Sequence, residues 1–270
     1  FKQEIIQLLH LGHDNIVRAH DYDTWKDHHF FTMEYVEGIS LDRLLASRSE
    51  KTPPFSVQEA ARIMDQLLAA LVHAHGQTIH RDIKPANIMI TGQLPDSDVK
   101  VLDFGIAKAM SASRFEKSAL AEGAFFYIAP EQSRGQVDVR SDLFSAGVVF
   151  YEMLTGEVPG GFPLLPSELV PGIPGRVDAF VRKSLSARPE DRFQTAQEMK
   201  NALEEAMAQK EMTGPPAVPE PADSEEDNPD REKQKQFETL YEKAGLQIRS
   251  GLFEQAAQTI DALNLLGLHP

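Results

Sequence analysis

The chain of 270 residues contains no cysteine. That absence excludes disulfides, thiolate metal sites and cysteine nucleophiles, and it fits a reducing cytosol. No apolar run approaches the ~20 residues needed to span a bilayer, and the opening residues carry no cleavable signal pattern. No membrane segment is therefore expected in this chain, and a cytoplasmic location is. Positive charge is also scarce: 27 Lys and Arg stand against 41 Asp and Glu, a formal charge of −14. Such a balance disfavours general binding to nucleic acid or to anionic membranes. No Gly-x-Gly-x-x-Gly occurs anywhere, and Trp25 is the one tryptophan. Apolar content is ordinary for a globular protein, so a large core is expected.

Against these absences stands one dense stretch, Ile79-His80-Arg81-Asp82-Ile83-Lys84-Pro85-Ala86-Asn87-Ile88-Met89-Ile90. It sets a charged loop between apolar flanks. A second acid follows in Val101-Leu102-Asp103-Phe104-Gly105. Two short apolar runs, each interrupted by an acid at a loop, suggest strands that deliver carboxylates to one site. Phosphoryl transfer suits this set. It needs an oriented acceptor hydroxyl, a cation over the moving phosphoryl group and oxygen ligands for Mg²⁺. Asp82 suits the hydroxyl proton, Lys84 the γ-phosphate, and Asn87 and Asp103 the metal.

His-Arg-Asp-x-Lys-x-x-Asn followed by Asp-Phe-Gly resembles the protein kinases, and the Lys two residues after the Asp resembles the serine/threonine branch. Other motifs agree in order over about residues 1 to 209, so that the chain resembles bacterial serine/threonine kinases of the eukaryotic-like type. The resemblance implies an α+β, protein-kinase-like fold: a mostly helical large lobe with a remnant of the small β lobe, followed by a C-terminal helical hairpin. It also implies ATP and Mg²⁺ as cofactors, protein substrates, and site roles residue by residue. Asp82 would be the base and Lys84 the phosphate stabiliser, with Asn87 and Asp103 holding metal. Glu4, nine residues before His13-x-Asn15, matches the helix glutamate that pairs with a nucleotide-gripping lysine. Met33-Glu34-Tyr35-Val36-Glu37-Gly38 resembles the hinge between lobes, where the backbone of Glu34 and Val36 meets adenine and Met33 guards the pocket behind. Met89 joins the nucleotide contacts. His80 would pack against Phe104.

Farther along, Tyr127-Ile128-Ala129-Pro130-Glu131 resembles the close of an activation segment. Within that segment Ser118 lies nearest the usual phosphate-accepting place, and a phosphoserine would give Arg81 a charge-assisted partner. Asp142 matches the acid that accepts hydrogen bonds from the catalytic-loop backbone, and Arg192 matches the partner of Glu131. Ala124 stands where such kinases carry a threonine whose hydroxyl ties the catalytic loop to the substrate platform.

Local patterning supplies the frame. The spacing predicts a helix over Phe1 to Leu11, strands over Ile16–Tyr22 and His29–Tyr35 around a polar hairpin at Asp23–His28, and a short helix over Ser40–Ser49. Ser56-Val57-Gln58-Glu59 is a capping box that opens a long core-facing helix ending near Gly76. His73 and His75, at its end, read as surface or packing residues rather than metal ligands. Ser141 to Thr155 is apolar all round and so reads as buried. Gly160 to Gly175 reads as loop, Arg176–Leu185 as a short helix, and Thr195-Ala196-Gln197-Glu198 as a second capping box starting a last helix to about Gln209.

From Ala217 to Glu232 seven acids face one base, Arg231, among prolines. This composition reads as a linker. Residues 233–270 have a helix-turn-helix rhythm that resembles one tetratricopeptide repeat, a possible seat for a protein partner; two unrelated helices remain the other reading. The expected organisation is thus a small-lobe remnant over 1–34, a large lobe over 35–209, a linker over 210–232 and a hairpin over 233–270.

Two parts of the family pattern have no counterpart: the Gly-rich loop over the phosphates and the strand lysine that Glu4 would pair with. The chain therefore reads as a kinase lacking its first ~70 residues, by ordinary domain size, with weak activity on its own. Two further readings stay open. One is a non-catalytic scaffold, favoured by those absences and by Ala124. The other is a small-molecule phosphotransferase, disfavoured by Ala129-Pro130-Glu131 and Arg192.

Overall fold

The computed structural model describes residues 11–26, 28–48, 54–104, 124–160 and 163–208. Glu4, Ser118, the linker and the C-terminal hairpin lie outside these residues, as does nearly all of the helix expected over Phe1 to Leu11.

Strands β1 (Ala19–Trp25) and β2 (His28–Met33) form an antiparallel hairpin with Trp25 opposite His28. Pairing runs farther toward the tip than the sequence suggests, because the ladder is made by backbone groups and tolerates the polar side chains of Asp23 and Thr24. The turn is then only two residues long, and Lys26 takes a φ of 45° to close it, as tight hairpin turns require. Trp25 ends β1 beside the tip, 62% exposed, with the Lys26 ammonium 4.4 Å from its ring.

A second sheet, ordered β3-β4-β5, holds β3 (Ile39–Ser40), β4 (Ile88–Thr91) and β5 (Asp98–Val101), all antiparallel. These are the two apolar runs that flank the acidic loops, joined by the end of the hinge. Gly38 lets β3 approach: a Cβ there would lie 2.4 Å from the Ile90 carbonyl oxygen. The hairpin is stitched to this sheet by Val17 N–H to Val101 O (3.0 Å) and Val101 N–H to Asn15 O (2.9 Å). Asn15 Nδ2 also donates to Val99 O and to Gln66 Oε1, both at 2.9 Å, so loop, strand and helix share one polar knot.

Helix α1 (Leu41–Ser47) follows β3, and α2 (Val57–Ala74) forms the spine of the large lobe. Ser56 Oγ accepts from Glu59 N while Glu59 Oε2 accepts from Ser56 N, the reciprocal cap expected. Ile63, Met64, Leu67, Leu68 and Leu71 are fully buried, each worth roughly 1.5–3 kcal/mol of burial. Helix α2 packs on α3 (Val139–Thr155), on α6 (Ala196–Ala208) and on β5. Helix α3 is capped by Asp138, whose Oδ1 accepts from Arg140 N at 2.8 Å. Its crossing with α5 (Gly175–Ser184) is close at Gly147, where a Cβ would lie 2.6 Å from Ser184 Cβ.

The stretch expected as loop before α5 contains a one-turn helix, α4 (Pro166–Leu169). Pro166 presets the first helical φ, Glu168 Oε2 accepts from Leu165 N at 2.6 Å, and Asp178 binds both the amide and hydroxyl of Ser167. At α6 the second capping box is only half formed. Thr195 Oγ1 accepts from Glu198 N, but Glu198 reaches one residue farther back, to Gln194 N. Among the described residues no helix is long and apolar enough to cross a membrane.

Candidate active site

Helix α2 ends at Ala74, and the chain passes through His80 to Lys84 without helix or strand before a 3₁₀ turn at Pro85–Asn87 feeds β4. The matching acid leaves the end of β5 at Asp103. Arg81 (φ 70°) and Asp103 (φ 59°) both occupy the left-handed region, a strained state for residues with a Cβ that surrounding contacts must hold in place.

Asp142, in the first turn of α3, holds the loop. Its Oδ1 accepts from Arg81 N at 2.7 Å and its Oδ2 from His80 N at 2.8 Å. The carboxylate is 1% exposed, so these bonds offset its loss of water. A third bond was not legible in the sequence: His75 Nε2 lies 3.0 Å from Asp142 Oδ2. His75 is thus a packing residue, as read, but one that packs on the loop's anchor. His73 instead lies against His13, ring centroids 5.1 Å apart.

His80 is fully buried, its ring 4.4 Å from that of Phe104. Its Nδ1 accepts from Asp82 N at 3.3 Å, which assigns the ring proton to Nε2, 2.7 Å from Leu102 O. The imidazole therefore ties the Asp82 loop to the Asp103 loop. A second tie runs from Leu102 N to Asn87 O at 2.9 Å.

Asp82, Lys84 and Asn87 converge. Lys84 Nζ lies 3.1 Å from Asp82 Oδ2, and Asn87 Nδ2 donates to the same oxygen at 2.9 Å and to Asp82 O at 2.8 Å. Since Asn87 spends its NH₂ on Asp82, its Oδ1 is the end available to a hard cation. Burial raises the Asp103 carboxyl above its ordinary range; His80 and Lys84 pull it down and Asp82 pushes it up. The desolvated carboxylate of Asp103 and the amide oxygen of Asn87 are hard oxygen donors of the kind that Mg²⁺ prefers, so the residues present fit that ion.

At the hinge, Glu34 N donates to Arg18 O at 2.9 Å. The Glu34 side chain has an unforeseen role: Oε1 accepts from Arg18 N (3.0 Å) and from Lys100 Nζ (2.7 Å), clamping the hinge to β5. The Lys100 bond is the main cause that holds this carboxyl below its ordinary range. Val36 follows in a stretch outside helix and strand, and Met89, on β4, pairs with Ser40 across the sheet. Met33, expected to guard a pocket, is instead 43% exposed. The cause is that β2 pairs only with β1 among the described residues, so no further strand shelters it.

Behind the loop, Glu131 and Arg192 form a buried bidentate pair, Nη1–Oε1 2.8 Å and Nη2–Oε2 2.9 Å. Arg192 also donates to the carbonyls of Ser186 and Ala187, and Ser141 Oγ donates to Glu131 Oε1. One more residue escaped sequence reading. Gln132 Nε2 donates to Arg81 O at 3.1 Å, joining platform and loop in a chain that has no hydroxyl at Ala124.

Comparison with known proteins agrees with this geometry. The protein kinase domain model matches residues 1–163. The chain is 33% identical over 222 residues to serine/threonine-protein kinase PrkC of Bacillus subtilis, covering 76% of this chain and 33% of that protein. It is 37% identical over 226 residues to serine/threonine-protein kinase PknB of Mycobacterium tuberculosis, covering 75% and 35%. The crystal structure of the Mycobacterium tuberculosis PknI kinase domain superposes with a TM-score of 0.63 at 28% identity, covering 76% of this chain and 77% of that one. The chain belongs to the protein kinase family, and PrkC and PknB, which it resembles, are bacterial serine/threonine-protein kinases. It spans about a third of the length of the curated relatives it matches.

Proposed function

We propose that this chain carries the large-lobe machinery of a serine/threonine protein kinase that moves the γ-phosphoryl group of ATP to Ser or Thr hydroxyls of protein substrates. The observation that carries the reading is the convergence of Lys84 Nζ and Asn87 Nδ2 on one oxygen of Asp82. Both contacts fall on Oδ2, and the proposal gives proton acceptance to Oδ1. The acceptor hydroxyl, oriented by Asp82, forms its bond to the γ-phosphorus as the bond to the β–γ bridging oxygen breaks. Its proton passes to Asp82 and ADP leaves. Lys84 is placed to turn from Asp82 toward the transferring group, where charge spreads over the equatorial oxygens. Asn87 Oδ1 and Asp103 would hold Mg²⁺, which supplies neutralisation of the nucleotide phosphates.

The hinge carbonyl of Glu34, the backbone of Val36 and Met89 belong to the same proposal as nucleotide contacts, with Glu4 as partner of a strand lysine and Ser118 as phosphate acceptor facing Arg81. So do a cytoplasmic location, where ATP is available, and a tetratricopeptide-type hairpin over 233–270 that seats a protein partner. The 270 residues hold no Gly-rich phosphate loop, so weak transfer is expected from them alone. Incubation with Mg²⁺-ATP and dephosphorylated casein, read by phosphosite mass spectrometry, tests the reading. Phosphoserine or phosphothreonine should form slowly with the wild type and not at all with Asp82→Ala. Equal yields from both would defeat it.

A further inference from the structure

We propose that Gln132 is a positioning residue that couples the substrate platform to the loop carrying Asp82, by holding the Arg81 carbonyl. The inference rests on the kinase reading above for its consequence, but its geometry stands alone.

Arg81 is a left-handed residue with a side chain, φ 70°. Such a conformation persists only where the flanking peptides are fixed from outside. Both are. The amide on its N-terminal side is held by Asp142 Oδ1 at 2.7 Å, from α3. The carbonyl on its other side is held by Gln132 Nε2 at 3.1 Å, from the 3₁₀ turn Pro130–Arg134. That second peptide is the one whose nitrogen belongs to Asp82, and the nitrogen is itself held by His80 Nδ1 at 3.3 Å. The peptide plane that sets where Asp82 points therefore has one grip on each edge, and Gln132 supplies the grip on the carbonyl.

The glutamine cannot serve equally well reversed. Its Oε1 accepts from Ala129 N at 2.9 Å, and its own N–H donates back to Ala129 O at 2.9 Å. A flipped amide would set oxygen against the Arg81 carbonyl and NH₂ against the Ala129 amide. The side chain is thus locked into its own turn while reaching out of it. The preceding residue, Glu131, is fixed by Arg192 and Ser141, so the turn has little freedom relative to α3. A shift of the platform, such as substrate docking would impose, is transmitted to the Arg81–Asp82 peptide through one hydrogen bond.

Two variants of the full chain separate this role from simple packing. Gln132→Glu keeps the acceptor for Ala129 N and replaces the donor to Arg81 with an oxygen that repels it. Gln132→Met keeps the bulk and removes both bonds. Amide hydrogen exchange followed residue by residue should show faster exchange at Arg81 and Asp82 in both variants, with Ala129 protected in Gln132→Glu and released in Gln132→Met. Helices α2 and α3 should stay protected throughout. In the casein assay both variants should lower kcat roughly ten- to a hundredfold, as expected for a misplaced catalytic group, with KM for ATP unchanged. Wild-type exchange at Arg81 and Asp82 in Gln132→Glu would overturn the proposal. So would loss of protection spread through α2 and α3, which would make Gln132 a general packing residue. Failure of the wild type to transfer phosphate would defeat the kinase reading instead, and the exchange pattern alone would then decide the coupling.

Discussion

Asp142 Oδ1 accepts the amide of Arg81 at 2.7 Å: the first turn of a buried helix grips the residue immediately before Asp82. Together with His80 N and His75 Nε2, this makes one carboxylate the meeting point of three donors. Asp142→Ala removes the acceptor and leaves the buried amide of His80 and the part-buried amide of Arg81 unpaired, at about 1–3 kcal/mol for a fully buried group. The variant should lose about 3 kcal/mol of stability in urea denaturation. Asp142→Asn, with one acceptor oxygen, should lose less. An unchanged unfolding midpoint in Asp142→Ala would show that the loop does not depend on this anchor.

The Glu131–Arg192 pair predicts non-additivity. Arg192 is 1% exposed and spends its remaining donors on backbone carbonyls, while its guanidinium lies 4.7 Å from the Phe144 ring. Removing one partner leaves the other charged and buried, at roughly 3–5 kcal/mol. Arg192→Met and Glu131→Gln should each approach that loss. The double variant should fall well short of their sum, because no lone buried charge remains. Additive losses in denaturant titrations would count against a coupled pair.

Much of this was legible in the sequence because it rests on short-range patterns. The capping box at Ser56, the period of α2 and the apolar faces of α3 follow from local spacing, and the Asp82 and Asp103 loops announce themselves by charge between strands. Pairs such as His80–Phe104 and Glu131–Arg192 came from the family likeness rather than from spacing. What stayed hidden was contact across the fold by ordinary residue types. A glutamine after Ala-Pro-Glu, a histidine at a helix end and a hinge glutamate carry no local sign of their partners Arg81, Asp142 and Lys100. The hairpin tip was misplaced because polar side chains do not report backbone pairing, and α4 was missed because one turn is too short to show a period.

Glu152 predicts a stability that depends on pH near neutrality. Burial raises its carboxyl to about 7 from an ordinary 4.5; the hydrogen bond from Tyr127 pulls it down and Asp42 pushes it up. Tyr127 Oη lies 2.6 Å from Glu152 Oε2, and burial first, then Glu152, pushes the phenol up as well. The folded state therefore binds this proton more tightly than the unfolded state does. The stability is present in full below pH 4.5 and is lost as pH rises from 4.5 to about 7. The partial exposure of the side chain makes ~3 kcal/mol an upper bound. Glu152→Gln keeps an acceptor for Tyr127 and should flatten the part of the stability curve between pH 5 and 7 by an amount on the order of that bound. Equal slopes in wild type and variant would show that Glu152 is not the titrating group.

Nucleotide and metal binding can be read without turnover. If Asn87 Oδ1 and Asp103 hold Mg²⁺, then a non-hydrolysable ATP analogue should raise the melting temperature of the full chain more with Mg²⁺ than with EDTA. At a hundredfold excess over Kd the added stability is about 2.7 kcal/mol. Asp103→Asn removes the charge that faces the ion and should abolish the Mg²⁺-dependent part of the shift. Asn87→Ala should do the same and in addition free Asp82, which Asn87 holds through two hydrogen bonds. Asp82→Ala, by contrast, removes the proton acceptor while leaving Asp103 in place, so its Mg²⁺-dependent shift should survive. A shift equally lost in all three variants would mean that the loop binds nucleotide as one structural unit, with no division between metal ligands and base.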